Sequence, residues 1–125
     1  MNRSVTPLSR LAKRLHPHLR GRLAEKCAMV FYIAHGFKPL TGLRQGLAQT
    51  DLTVVRGSTL LLVEVKYRSS RSRGHVALGQ AQRDRLARQM RALAGRYPKY
   101  TLRIELFLIF PQWPFYQRIS QPYVA

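Results

Sequence analysis

The run Asp51-Leu-Thr-Val-Val-Arg56, then Gly57-Ser58, then Thr59-Leu-Leu-Leu-Val-Glu-Val-Lys-Tyr-Arg68 decides how this chain folds. Aliphatic and β-branched residues fill both halves, as strands packed within a sheet require. Gly-Ser between them reads as a two-residue hairpin turn, and a turn of that length sets the register. Arg56 then faces Thr59, and five residues further out on each strand Asp51 faces Glu64. Facing side chains lie ~4.5–5.5 Å apart at Cβ and share a face of the sheet. Lys66, two residues beyond Glu64, projects from that same face, while Leu52, Val54, Leu61, Val63 and Val65 occupy the other. Two carboxylates so placed repel by about 3 kcal/mol at an effective dielectric of about 20. Two arrangements relieve the repulsion. A divalent cation between the acids is one, since carboxylate oxygens, water and phosphate suit Mg²⁺. Salt bridges from Lys66 that merely solvate one edge of the sheet are the other.

Outward from the hairpin the elements alternate. The 3.6-residue period predicts a helix over 21–35, with Leu23, Cys27, Val30, Phe31 and Ala34 on its buried stripe and Gly36 as its C-cap. Glu25 lies on the neighbouring stripe with Met29 and Tyr32. A short strand is expected over 37–44, weakened by Pro39 and Gly42. After the hairpin comes a basic, Ser-rich loop over 67–74 and a second helix over Gln80–Arg96, with Leu86, Met90, Leu93, Ala94 and Tyr97 on one face. Gln82, one turn before Leu86, heads that face and points toward the sheet. A buried strand follows over 101–110, then a tail rich in aromatics and proline with an edge strand around 116–120. The order is α-β-β-β-α-β plus a tail, an α/β fold in a single domain preceded by a basic arm over 1–20.

Composition sets the class of partner. The 125 residues carry 22 Lys and Arg against 5 Asp and Glu, a formal net charge of +17. Such a surface seeks a polyanion, nucleic acid foremost, and Arg outnumbers Lys by 17 to 5, which suits bidentate phosphate contacts. The acids are Glu25, Asp51, Glu64, Asp84 and Glu105, too few for an all-carboxylate calcium cage. His16, His18, His35 and His75 lack the spacing of a zinc hydrolase. A lone Cys27 allows no intramolecular disulfide and suits a reducing cytoplasm, and its apolar surroundings predict a small core residue. No apolar run approaches the ~20 residues that span a bilayer, so no membrane partner is expected. Residues 1–24, the arm and the start of the helix, have six basic residues, no acid, and Leu8, Leu11, Leu15 and Leu19 at helical spacing. It reads as a phosphate-contacting arm or, alternatively, as a transit peptide or membrane-surface helix.

Asp51 followed at a distance by Glu64-Val65-Lys66 resembles the D…(D/E)xK signature of the PD-(D/E)xK nuclease superfamily, whose common core is also αβββαβ, a mixed sheet flanked by helices in the restriction-endonuclease-like fold. More narrowly, Gly21-Arg-Leu-Ala-Glu25-Lys-Cys-Ala28, Thr50-Asp51-Leu52, Leu62-Val63-Glu64-Val65-Lys66-Tyr67-Arg68 and Leu102-Arg103-Ile104-Glu105 resemble the blocks of the YraN-like family of Holliday-junction-resolvase-like nucleases. The likeness covers about residues 21–125. The sequence departs at Ala48-Gln49, where the family has Gly-Glu, and at Gln82, where it has Lys. The resemblance implies an endonuclease that hydrolyses phosphodiester bonds in DNA, branched DNA included, with Mg²⁺ or Mn²⁺ held by Asp51, Glu64 and the Val65 carbonyl. Lys66 would orient the attacking water or stabilise the phosphate, and Glu25 and Gln82 would position water or metal. Arg68, Arg71 and Arg73 are the expected backbone clamp, and a junction resolvase is expected to act as a homodimer. The departures favour an alternative, a nuclease-like nucleic-acid-binding module with weakened catalysis. Trp113, Phe115 and Tyr116 would then serve either as stacking platforms or as core closure.

Overall fold

The computed structural model describes residues 7–40, 51–69 and 80–122. Helices α1 (Pro7–Arg14) and α2 (Pro17–Ala34) come first, then strands β1 (Lys38–Pro39), β2 (Asp51–Arg56) and β3 (Thr59–Tyr67). Helix α3 (Gln80–Arg96) and strands β4 (Thr101–Ile109) and β5 (Tyr116–Pro122) complete the fold. Five strands form one mixed sheet in the order β1-β2-β3-β4-β5, parallel between β3 and β4 and antiparallel elsewhere. A parallel pair cannot be joined by a tight turn, and α3 lies in the crossover that joins this one. The α/β class, the mixed sheet and the flanking helices are those expected, and the architecture is compatible with a restriction-endonuclease-like core.

The hairpin has the register that its turn dictates: Arg56 pairs with Thr59 and Asp51 with Glu64. Gly57 has φ +59°, and Phe115 is the only non-glycine with positive φ among the described residues, so glycine sits at the first turn position and Ser58 has an ordinary φ. That is the type II′ pattern, whose twist matches the flanking strands.

Alternation along β3 then sorts the two layers. Leu61, Val63 and Val65 join Leu52, Val54 and Phe107 beneath α2, against Ala24, Ala28 and Tyr32. Leu60 and Leu62 face α3 and pack on Leu86, Met90 and Leu93. Farther along that second face, Leu106, Leu108 and Phe110 form a third cluster with Ile119.

Helix α2 departs from its expected orientation. Leu23, Val30, Cys27 and Ala34 are exposed, and the stripe Ala24, Ala28, Tyr32 is buried instead, with Phe31 half-buried as its flank. Two stripes at the same period compete on this helix. The sheet takes the one whose alanines allow close approach and whose Tyr32 hydroxyl finds a buried partner. Cys27 is thus a surface thiol and not a core residue. The chain breaks between α1 and α2, and Pro17 opens α2 at its first turn, where a missing N–H costs nothing. The expected strand over 37–44 is described as Lys38–Pro39, with the Leu40 N–H donating to the Thr53 carbonyl at 2.8 Å; residues 41–44 lie outside the described set.

Candidate functional site at the end of strand β3

Glu64 is fully buried on a strand whose neighbours are almost all aliphatic. A carboxylate taken out of water persists there only if cations and donors replace its hydration. Two do so. Lys66 places Nζ 3.2 Å from Oε1, and Arg85 donates from Nη2 to Oε2 at 3.1 Å. Lys66 reaches the acid because residues two apart on a strand share a face. Arg85 reaches it from α3, one residue before the buried Leu86. The cations are 24 % and 33 % exposed, so the notch runs from a buried carboxylate to a solvent-facing cationic rim.

Asp51 joins this notch through the ladder, directly opposite Glu64. Its side chain and that of Gln82 on α3 lie outside the described residues, as do Gln49, Arg71, Arg73 and His75. Glu25 lies half-buried on α2, in the layer across the sheet from α3. The Arg20 guanidinium sits 4.7 Å from the Tyr67 ring centroid, which places the first half of α2 at the same end of the sheet as Glu64. Burial raises the Tyr67 hydroxyl pKa, and Arg20 partly opposes that rise. Arg68 follows at once, its N–H donating to the Ile109 carbonyl at 2.9 Å and its Nη1 to the Tyr67 carbonyl at 3.0 Å.

The structure therefore unites Glu64, Lys66 and the Asp51 ladder position, and it sets Glu25 across the sheet from them. Arg85 is the participant that the sequence reading missed. Its signal was its place one residue before Leu86, beside the inward stripe of a helix expected to face the sheet. Among the described residues no three His, Cys, Asp or Glu side chains form a metal-binding group.

Glu105 has a different role. It is buried on the α2 face, where the Tyr32 hydroxyl and Arg118 Nε both donate to its Oε1. Arg118 also lies over the Phe31 and Tyr32 rings. Burial, then the bond to Glu105, raises the Tyr32 pKa far above its ordinary value; the same carboxylate raises that of Arg118. Arg118, on the neighbouring strand β5, is the cation that pairs with Glu105. Asp84 is an exposed surface acid that accepts from Gln80 Nε2 at 2.9 Å.

No helix among the described residues is long and apolar enough to cross a membrane. No family model matches the chain. Curated relatives do match it over most of its length. A UPF0102 protein of Maricaulis maris is 34% identical over 108 residues, 81% of this chain and 84% of the relative. Another, of Methylobacterium nodulans, is 32% identical over 121 residues, 91% of each chain. A third, of Parvibaculum lavamentivorans, is 35% identical over 99 residues, 75% of this chain and 74% of the relative.

Proposed function

The chain belongs to the UPF0102 family, the YraN-like family, and on that premise we propose that it is a divalent-metal-dependent endonuclease acting on DNA in the cytoplasm, with branched DNA within its range. The observation that carries this reading is the ladder pair Asp51–Glu64 with Lys66 two residues on, at one end of a strongly basic protein.

The donor set suits a hard cation in kind. Two carboxylates and the Val65 carbonyl offer oxygen only, and Mg²⁺ commonly takes one or two carboxylates, completing its shell with water and phosphate. At Glu64 Arg85 already places one positive charge against the buried oxygen Oε2. Bound between Asp51 and Glu64, the ion would supply Lewis acidity and a water of lowered pKa. The protein's own groups supply the rest. Lys66 holds an ammonium beside Glu64, at the half-buried mouth of the notch, where negative charge on a phosphate in transition would need it. Arg68, with Arg71 and Arg73 beyond it, would grip the strand's backbone; Gln82 would approach from α3, and Glu25 from α2 around the end of the sheet where Arg20 meets Tyr67.

A second reading is favoured by the Arg85 bond. If Glu64 serves as the permanent counter-ion of Arg85 and Lys66, the protein is a catalytically weakened, nuclease-like nucleic-acid-binding module. Branched, duplex and single-stranded DNA incubated with wild type, Asp51→Ala and Lys66→Ala, in Mg²⁺, Mn²⁺ or EDTA, separates the two. Metal-dependent cutting by wild type alone, with binding retained in both variants, supports the endonuclease. Equal binding by all three proteins with no cutting supports the module.

A further inference from the structure

Trp113 is the chain's only tryptophan, and at 80% exposure the most exposed of the large hydrophobic side chains described. Core closure, the commoner fate of such an aromatic, is not what it does. Nor is it carried on a loose loop. The Phe110 N–H donates to the Phe115 carbonyl at 2.8 Å, the Phe115 N–H to the Gln112 carbonyl at 2.7 Å, and Gln112 Nε2 to the Ser69 carbonyl at 2.6 Å. Phe115 is held at φ +73°, a region that bulky residues seldom occupy. Tyr116, at the loop's exit, stacks flat on Phe107 at 5.6 Å and meets Phe31 at 4.9 Å. The loop is pinned at its root and its indole stands in water.

Its location gives the indole a use. The Gln112–Ser69 bond fixes the loop beside the exit of β3, three residues past Lys66, ~10 Å of extended chain. Arg68 lies between them, and the protein as a whole carries +17. A flat π surface beside phosphate-binding cations matches a nucleobase that has left its stack, the arrangement by which single strands are held. Bases within a continuous duplex present no free face to it.

We propose that Trp113 is a stacking platform for an unpaired nucleobase, so that the site at the end of β3 takes nucleic acid with splayed or single-stranded nucleotides, such as a fork or branch, in preference to continuous duplex. This deepens the nuclease reading and rests on it for what happens to the strand. The binding itself is independent of cleavage.

The test uses the full chain in EDTA, where no cutting intervenes. Trp113 is the sole indole, so fluorescence excited selectively in the indole band, past the absorption of the six tyrosines, reports on it alone. A short single-stranded oligonucleotide and a forked duplex should quench it strongly, and a blunt duplex of equal length weakly. By fluorescence anisotropy of labelled DNA, Trp113→Ala should lower affinity for single strand and fork by about 5- to 150-fold and leave the blunt duplex within about twofold. Trp113→Phe, which keeps an aromatic face, should recover most of the loss. Equal quenching by single strand and blunt duplex, or an equal loss on all three DNAs, overturns the proposal. So does a spectral shift on vesicles of phosphatidylserine and phosphatidylcholine with none on oligonucleotides, which would make the indole a lipid contact. Absence of metal-dependent cutting by wild type would remove the nuclease reading and leave these binding outcomes standing; failure here with cutting intact would remove only the platform.

Discussion

Arg85 of α3 and Glu64 of β3 meet at 3.1 Å where helix and sheet pack together, and the carboxylate of this pair is fully buried. The contact ties the placement of α3 to the charge on β3. Removing Arg85 takes one cation away from a carboxylate that has no access to water, while Lys66 stays beside it.

Arg85→Ala should therefore destabilise the fold by about 1–3 kcal/mol. That is less than the cost of stripping a wholly buried pair, because Arg85 is one-third exposed and Lys66 remains. Urea unfolding checks the magnitude. Under the endonuclease reading, Mg²⁺ should raise the unfolding midpoint of this variant more than that of wild type, since the ion would replace the lost positive charge. Under the binding-module reading Mg²⁺ should leave both midpoints alike.

Tyr32→Phe should cost about 1.5–3 kcal/mol, the range for a hydrogen bond to a charged group, because the Tyr32 hydroxyl donates to buried Glu105. DNA cleavage and binding should be unaffected, since this network lies on the α2 face, away from Glu64.

The same tyrosine predicts a pH dependence. Its folded pKa is raised above the ordinary value of 10.0, chiefly by burial and next by the bond to Glu105. Below pH 10.0 both folded and unfolded chains keep the proton and the stabilisation is complete. Above that pH the unfolded chain ionises first, so stability falls as pH rises. Denaturant midpoints measured from about pH 9 to pH 11 should decline in wild type and decline less in Tyr32→Phe, the ordinary tyrosine pKa of ~10 lying inside that window.

Gly57→Ala should destabilise by about 1–2 kcal/mol through backbone strain alone. Its φ is +59° and a Cβ there would meet nothing within 4 Å, so no steric contact contributes. Gly57→Asn should cost less. Because this turn holds Asp51 opposite Glu64, the endonuclease reading expects metal-dependent cutting by both variants to fall in step with their melting temperatures.

Binding to duplex DNA should weaken with salt, with a log–log slope of about −0.9 per phosphate neutralised. Arg68→Ala should make the slope shallower by about 1 if Arg68 grips a phosphate, and leave it unchanged if the side chain only caps the Tyr67 carbonyl. Filter binding across a salt series distinguishes these outcomes.

By itself the sequence determined what local chemistry can determine. Both hairpin strands, the span of α3 and the Asp51–Glu64 register follow from a two-residue turn, strict alternation and the 3.6-residue period, each acting within a few residues. What the sequence could not choose was the face of α2, since Leu23, Cys27, Val30 and Ala34 form as good a stripe as Ala24, Ala28 and Tyr32. Hydrophobicity prefers the larger side chains. The sheet prefers the smaller ones, with a tyrosine whose hydroxyl meets Glu105, a residue 73 positions away. Only the packed structure decided that contest, and only it brought Arg85 to Glu64 across 21 residues and left Trp113 in water. A buried charge selects its partner by proximity in space, and no period along the chain encodes that distance.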